Sequence, residues 1–102
     1  MLPVLLPDRD LAWIEPPDPG HLGVDAITQA RVVLCPGLAA DSRGARLGRG
    51  GGSYDRALAR CHTGTLRVLL LHDDELLERV PTAPDDQPVD IVVTPTRILR
   101  LR

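Results

Sequence analysis

A run of four glycines within five positions limits the local structure of this chain more than any other sequence feature. The run belongs to the segment Arg46-Leu47-Gly48-Arg49-Gly50-Gly51-Gly52-Ser53-Tyr54-Asp55-Arg56. Glycine adopts backbone conformations that a Cβ forbids, and it lets a ligand come within hydrogen-bonding distance of the main chain. An apolar segment precedes the run and an amphipathic segment follows it. The pattern predicts a strand, then a ligand-binding loop, then a helix.

The charged residues around the glycines indicate the class of ligand. Arg46 and Arg49 can donate charge-assisted hydrogen bonds to phosphate or carboxylate oxygens. The first amides of the helix also favour an anion. Asp55 would repel a bound phosphate unless a divalent cation lay between them, and Mg²⁺ is commonly held by carboxylates together with substrate phosphates. The segment therefore predicts a site for a metal-bound nucleoside phosphate.

A plain glycine turn with solvated arginines remains an alternative on chemistry alone. The familiar phosphate-loop patterns do not fit this segment. The chain contains no lysine, so it has no Gly-Lys-Ser/Thr motif. A dinucleotide fingerprint beginning at Gly48 would need a glycine where Ser53 stands.

The apolar pattern predicts an α/β fold. Residues 31–35, 66–71 and 91–93 are typical of strands that are buried on both faces, with a short strand at 3–6 and an edge strand at 97–102. Residues 15–23, rich in proline and glycine, are predicted to form a loop. We expect one α/β domain over residues 1–102, with three α/β/α layers and a mostly parallel sheet.

The helix after the glycines has one apolar face. Ser53 is expected to cap it, and Gly64 is expected to end it. Its buried face is predicted to consist of Tyr54, Ala57, Leu58 and Cys61. Asp41, in the turn before the glycines, is expected to accept hydrogen bonds from neighbouring amides. The acidic residues Asp73, Asp74, Asp85 and Asp86 are expected to be solvated.

Composition excludes several classes of function. The net charge of -2 and the scattered arginines argue against a nucleic-acid partner. No apolar run is long enough to cross a membrane, and no basic leader segment is present, so we expect a cytoplasmic protein. Cys35 and Cys61 have no metal-ligand spacing and are expected to be buried free thiols.

The longest motif resembles a known family. Its parts are Gly44, the glycine segment and the preceding Pro36-Gly37-Leu38-Ala39-Ala40-Asp41. Together they resemble the signature of the 5-formyltetrahydrofolate cyclo-ligases, also called methenyltetrahydrofolate synthetases. The segment Val89-Asp90-Ile91-Val92-Val93-Thr94-Pro95 is similar to the closing strand of that family. The resemblance covers the C-terminal portion of a family member, so we expect a fold that is incomplete relative to the family.

The resemblance implies an activity and a set of site residues. The activity is the Mg-ATP-dependent conversion of 5-formyltetrahydrofolate to 5,10-methenyltetrahydrofolate, with ADP and phosphate as the other products. The implied catalytic residues are Arg49 and Tyr54, and the implied Mg²⁺ ligands are Asp55 and Asp90. The implied nucleotide-binding residues are Arg46, Leu47, Gly48, Arg49, Gly50, Gly51, Gly52, Ser53 and Tyr54. The implied folate-binding residues are Arg49, Gly50, Gly51, Gly52 and Ser53.

Two other functions stay open. The chain could be a shortened, non-catalytic homologue that binds nucleotide or a partner subunit, or a nucleotide-binding fragment unrelated to folate. An incomplete domain leaves an apolar surface or a sheet edge uncovered, so self-association is also expected.

Overall fold

The computed structural model describes residues 1–101, apart from the side chain of Pro19. The strands are β1 (Leu2–Leu5), β2 (Leu11–Glu15), β3 (Asp18–His21), β4 (Val32–Cys35), β5 (Ala39–Ala40), β6 (Arg46–Leu47), β7 (Leu66–Leu70), β8 (Ile91–Val93) and β9 (Ile98–Arg100). The helix α1 spans Ser53–Ala59, and 3₁₀ turns span Val24–Gln29 and Asp73–Glu75. The fold is mixed α/β, as the sequence predicts.

The central sheet has the strand order β4-β7-β8-β9. Its first two pairs are parallel, whereas β8 and β9 are antiparallel. The two smaller sheets, β1-β2-β3 and β5-β6, are antiparallel throughout. The central sheet is therefore mixed, with two parallel pairs and one antiparallel pair, and a mostly parallel arrangement is not confirmed for the fold as a whole. The turn between β8 and β9 is closed by a 2.9 Å bond from the Thr94 amide to the Arg97 carbonyl, and so short a connection allows only antiparallel pairing.

One face of the central sheet is covered. Val33, Cys35, Leu69 and Val92 are buried there, in a core that includes Leu58 of α1 and Trp13 of β2. The residues that alternate with them are exposed, with Val32 at 50%, Leu34 at 62%, Leu70 at 53% and Ile98 at 76% exposure. Strand register places Leu66 on the same face, paired with Val32. We call this surface the open face, defined by the residues Val32, Leu34, Leu66, Leu70 and Ile98.

The open face corrects the expectation of three layers. Within residues 1–101 a helical layer and the β1-β2-β3 sheet pack on one side of the central sheet, and no layer covers the other side. The strands of this sheet carry Val, Leu and Ile on both faces. A sequence of this kind does not distinguish a sheet that is covered on both faces from a sheet that is covered on one face.

Three local expectations are also wrong. Residues 15–23 are not all loop, since Asp18–His21 forms β3 and pairs with β2. β3 is an edge strand, where proline is tolerated because a missing N–H faces away from the ladder. The helix is capped by Gly52 at φ 72°, with no side-chain capping bond, so Ser53 is its first residue. It ends at Ala59, before Gly64.

Several side chains lie where the sequence predicts. Ala57 and Leu58 are buried, while Tyr54 and Cys61 pack against the same core and are partly buried. Cys35 is buried, and both cysteines are free thiols. The C-terminal edge strand is present as β9.

Candidate functional site

A cavity of about 770 Å³ lies beside the glycine run. One wall is formed by residues 46–56 and another by residues 36–38, which follow the carboxyl end of β4. The remaining walls come from residues near the β1–β2 turn and from residues 85–87. We call it the glycine-loop cavity. Every residue predicted to bind nucleotide, from Arg46 to Tyr54, lines it.

The backbone of the loop explains part of the glycine run. Gly50 has φ 97° and Gly52 has φ 72°, both in the left-handed region that residues with a Cβ rarely adopt. A Cβ added to Gly50 would meet no atom within 4 Å. The conformation therefore strongly favours glycine at position 50, and the main chain there is open to a ligand.

Arg46 differs from the solvated arginine that a plain turn would have. It is only 6% exposed, and its Nη1 donates to the Pro36 carbonyl at 2.9 Å. Its Nη2 lies 3.3 Å from Asp55 Oδ1, and its guanidinium is 5.9 Å from the centre of the Tyr54 ring. Its Nε is buried and has no hydrogen-bond partner among the described residues. Arg46 thus supports the cavity wall and neutralises the charge of Asp55.

Asp55 lines the cavity with a partly free carboxylate. Its Oδ1 accepts hydrogen bonds from the Gln87 amide at 3.0 Å and from Arg46. No hydrogen bond from a described residue uses its Oδ2, and the side chain is 19% exposed. A carboxylate oxygen of this kind fits a hard cation such as Mg²⁺. Asp55 therefore has the chemistry that the predicted metal role requires.

Asp90 lies elsewhere in the sheet. It precedes β8, where its Oδ2 accepts from the Arg67 amide at 2.9 Å and its amide donates to the Arg67 carbonyl at 2.9 Å. It is not among the described residues that line the glycine-loop cavity. Within residues 1–101, no group of three or more His, Cys, Asp or Glu is arranged to hold a metal ion. The structure does not bring Asp90 to the cavity with Asp55.

Of the two predicted catalytic residues, Tyr54 has a raised pKa. Burial raises the pKa of its phenol, and the nearby Arg46 opposes this only in part. The phenol therefore stays protonated at neutral pH. It can donate a hydrogen bond to a ligand oxygen but is not a general base. The other predicted catalytic residue, Arg49, is exposed and lines the cavity.

The sequence did not point to some of the residues that line the cavity. Arg9 reaches it from the β1–β2 turn, and Asp85, Asp86 and Gln87 form part of its rim. Asp85 is exposed, as expected of a solvated acid. Asp85 and Asp86 nevertheless both line the cavity. These residues carry no motif, and only the packing of distant segments brings them to the glycine run.

Comparison with known proteins connects this site to a family. The model of the 5-formyltetrahydrofolate cyclo-ligase family matches residues 5–95. The chain is 45% identical over 89 residues to the 5-formyltetrahydrofolate cyclo-ligase of Mycolicibacterium smegmatis, a match that covers 86% of this chain and 45% of that protein. It is 40% identical over 73 residues to the Escherichia coli K12 protein of the same name, covering 71% of this chain and 40% of that protein.

Comparison with solved structures finds the same fold in proteins named 5,10-methenyltetrahydrofolate synthetase. The NMR structure of Aquifex aeolicus 5,10-methenyltetrahydrofolate synthetase matches with a TM-score of 0.74 and 28% identity, covering 98% of this chain and 57% of that one. The Mycoplasma pneumoniae 5,10-methenyltetrahydrofolate synthetase has a TM-score of 0.73 at 20% identity, covering 88% of this chain and 52% of that one, and it supports the fold alone.

The chain spans about half the length of the relatives that it matches. Among the described residues, no helix has the length and apolar character needed to span a membrane. The family match extends over most of the chain and includes the whole glycine segment and its cavity. This chain belongs to the 5-formyltetrahydrofolate cyclo-ligase family.

Proposed function

We propose that the glycine-loop cavity binds Mg-ATP and 5-formyltetrahydrofolate, and that the chain acts in their conversion to 5,10-methenyltetrahydrofolate, ADP and phosphate. One observation carries the proposal: the residues of the family signature, from Arg46 to Asp55, all line a single cavity. Its volume of about 770 Å³ is in the range of small-molecule sites. A cytoplasmic location remains part of the proposal.

The reaction asks the protein mainly for positioning and charge neutralisation. The formyl oxygen attacks the terminal phosphorus of ATP, and ADP leaves. Nitrogen 10 of the folate then attacks the activated formyl carbon and loses its proton, and the phosphate leaves with the former formyl oxygen. In this chain, the main-chain amides of residues 50–53 and the Arg49 guanidinium are available to phosphate oxygens. The protonated phenol of Tyr54 donates a hydrogen bond to a ligand oxygen.

Asp55 is the residue that would hold Mg²⁺, which supplies positive charge to the phosphate oxygens when bound. Gln87 and Arg46 hold Asp55 Oδ1, and Oδ2 is left for the metal. The assignment of Asp90 as a second ligand rests on the resemblance alone, because its carboxylate bonds the Arg67 amide outside the cavity wall.

We also propose that the chain self-associates through the open face. That face presents large apolar side chains from three strands of one sheet, with exposures of 37% to 76%. Contiguous apolar surface on a sheet is covered in stable proteins, and a second copy presents a surface of matching chemistry.

Turnover of the purified chain tests the proposed activity. Mg-ATP and 5-formyltetrahydrofolate are mixed with the protein, and the absorbance of methenyltetrahydrofolate is followed. Asp55→Asn retains an oxygen that can accept from the Gln87 amide, but loses the charge. We expect it to reduce turnover at least about 100-fold. The matched control is Asp74→Asn, in the exposed 3₁₀ turn after β7, which should leave turnover unchanged.

A folded chain that forms no product would contradict the catalytic role. Measuring Mg-ATP binding on the same sample then tests the alternative. Binding that Asp55→Asn weakens, without turnover, would identify a non-catalytic homologue that retains the nucleotide site. Absence of both would overturn the assignment of the cavity.

A further inference from the structure

The turn between β1 and β2 places an arginine against the glycine loop. Arg9 lines the glycine-loop cavity, and its Nη1 lies 3.1 Å from the position that a Cβ on Gly51 would occupy. The two residues are distant in the sequence, and Arg9 belongs to no motif. Its guanidinium is nevertheless within contact distance of the main chain that is proposed to bind phosphate.

The backbone of this turn is held in an uncommon conformation. Arg9 has φ 70° and is the non-glycine residue with positive φ in the described chain. Its amide donates to the Leu6 carbonyl at 2.9 Å, and its carbonyl accepts from Arg56 Nη2 at 2.9 Å. The adjacent Asp10 makes a two-bond ion pair with Arg60 of the segment that follows α1. The turn is thus tied to the helix that follows the glycine loop, which fixes where the Arg9 side chain begins.

The Arg9 guanidinium is not paired with any side chain or carbonyl that the structure describes. Among the described residues it donates no hydrogen bond and forms no ion pair, whereas Arg43, Arg46 and Arg60 each bond a carboxylate. Arg49, on the same cavity, makes no ion pair with a described residue either. Two guanidiniums without an acid therefore flank the glycine loop, an arrangement that suits a polyanion.

We propose that Arg9 is a further phosphate-binding residue of the glycine-loop cavity, which contacts the terminal phosphates of a nucleoside triphosphate, with Arg56 as its positioning residue. The proposal rests on the proposed function and names a residue outside the signature. Because Arg9 lies against Gly51, an anion bound by the loop amides can also contact the Arg9 guanidinium. This arrangement favours a phosphate over the carboxylates of the folate as the group that Arg9 binds.

Binding of inorganic tripolyphosphate and of ATP, each with Mg²⁺, tests the proposal by calorimetry. Arg9→Gln should weaken both affinities by about tenfold or more, since a charge-assisted hydrogen bond is lost. Arg31→Gln removes the same charge from an exposed site before β4 and should change them less than about twofold. Arg9→Gly suits φ 70°, so it should bind as weakly as Arg9→Gln while melting at no lower temperature than the original chain.

The remaining outcomes separate this proposal from the proposed activity. Tripolyphosphate binding that Arg9→Gln weakens, in a chain without turnover, supports the role of Arg9 and contradicts only the catalytic activity. Equal tripolyphosphate affinity in the original chain and Arg9→Gln, or no binding by the original chain, overturns the proposal. Weaker binding of 5-formyltetrahydrofolate with unchanged tripolyphosphate binding also overturns it, because Arg9 would then contact the folate.

Discussion

Gly44 lies between β5 and β6 at φ 84°, and a Cβ added there would be 2.5 Å from the Val89 carbonyl oxygen. The Val89 amide also donates to the Gly44 carbonyl at 2.8 Å, so the two backbones are in direct contact. Gly44→Ala combines backbone strain with this collision, and we expect it to lower the free energy of unfolding by about 3 kcal/mol.

Gly64→Ala is the matched control for Gly44→Ala. A Cβ on Gly64 meets no atom within 4 Å, and the backbone there is not left-handed. Its effect on the free energy of unfolding should stay within about 0.5 kcal/mol. Urea denaturation of both variants measures the difference, and equal stabilities would show that the Gly44–Val89 contact is not held in solution.

The hydrogen bonds of Asp41 confirm the structural role that is expected for it. Its buried carboxylate accepts from the amides of Arg43, Ala45 and Val80 at 2.9, 3.3 and 2.8 Å. The Arg43 guanidinium adds an ion pair at 2.7 Å. Burial raises the pKa of Asp41, but these hydrogen bonds outweigh it and lower the pKa to about 2. The carboxylate is therefore expected to stabilise the fold in its ionised form.

The sign of the Asp41 shift predicts acid sensitivity. The folded-state pKa of about 2 lies below the ordinary value of 3.8, so the stabilisation is complete above about pH 4 and is lost as the pH falls toward 2. The loss should be about 2 kcal/mol. Urea unfolding at pH 6 and at pH 2.5 should show a smaller decrease for Asp41→Asn than for the original chain. A decrease of the same size in both would contradict this.

At the scale of elements, the β1–β2 turn is fastened to the segment after α1 by one ion pair. Arg60 Nη1 and Nη2 donate to the two carboxylate oxygens of Asp10 at 2.7 and 2.6 Å, with both side chains largely buried. The hydrogen bond from Arg60 lowers the pKa of Asp10 to about 2, against the opposing effect of burial. This pair helps to hold the turn that forms a wall of the cavity.

A double-mutant cycle measures the strength of this connection. Asp10→Ala and Arg60→Ala should each destabilise the fold, and the double variant should be more stable than their sum predicts, by about 1 kcal/mol. Denaturation midpoints and slopes of the four proteins supply the cycle. Strictly additive effects would mean that the pair does not join the two elements in solution.

Some of the strands can be predicted from the local sequence pattern, and others cannot. The strands β4, β7 and β8 were predicted because each is a short apolar run bounded by breakers. The strand β3 was missed because its proline and glycine indicate a turn, and only its pairing with β2 makes it a strand. The β5–β6 hairpin was missed for a similar reason, since strands of two residues carry no periodicity.

At the scale of the whole molecule, the open face dominates the expected solution behaviour. Sedimentation velocity should show concentration-dependent self-association of the original chain. Leu34→Gln combined with Leu70→Gln removes two of its large apolar side chains and should shift the distribution toward monomer. The control, Leu22→Gln, changes a leucine that is 48% exposed but lies outside the open face, and should have no such effect. A monomeric original chain would contradict the self-association.

The family and the position of the candidate site can both be predicted from the amino-acid sequence, because both depend on one contiguous segment whose glycines, arginines and carboxylate suit the same ligand. The folded structure was needed to show that Arg46 is buried, that Asp55 rather than Asp90 is among the described residues lining the cavity, and that Arg9 reaches the loop. It also decided that one sheet face is open. These features arise from contacts between segments far apart in the chain, and the direction of a side chain relative to such segments has no local signature.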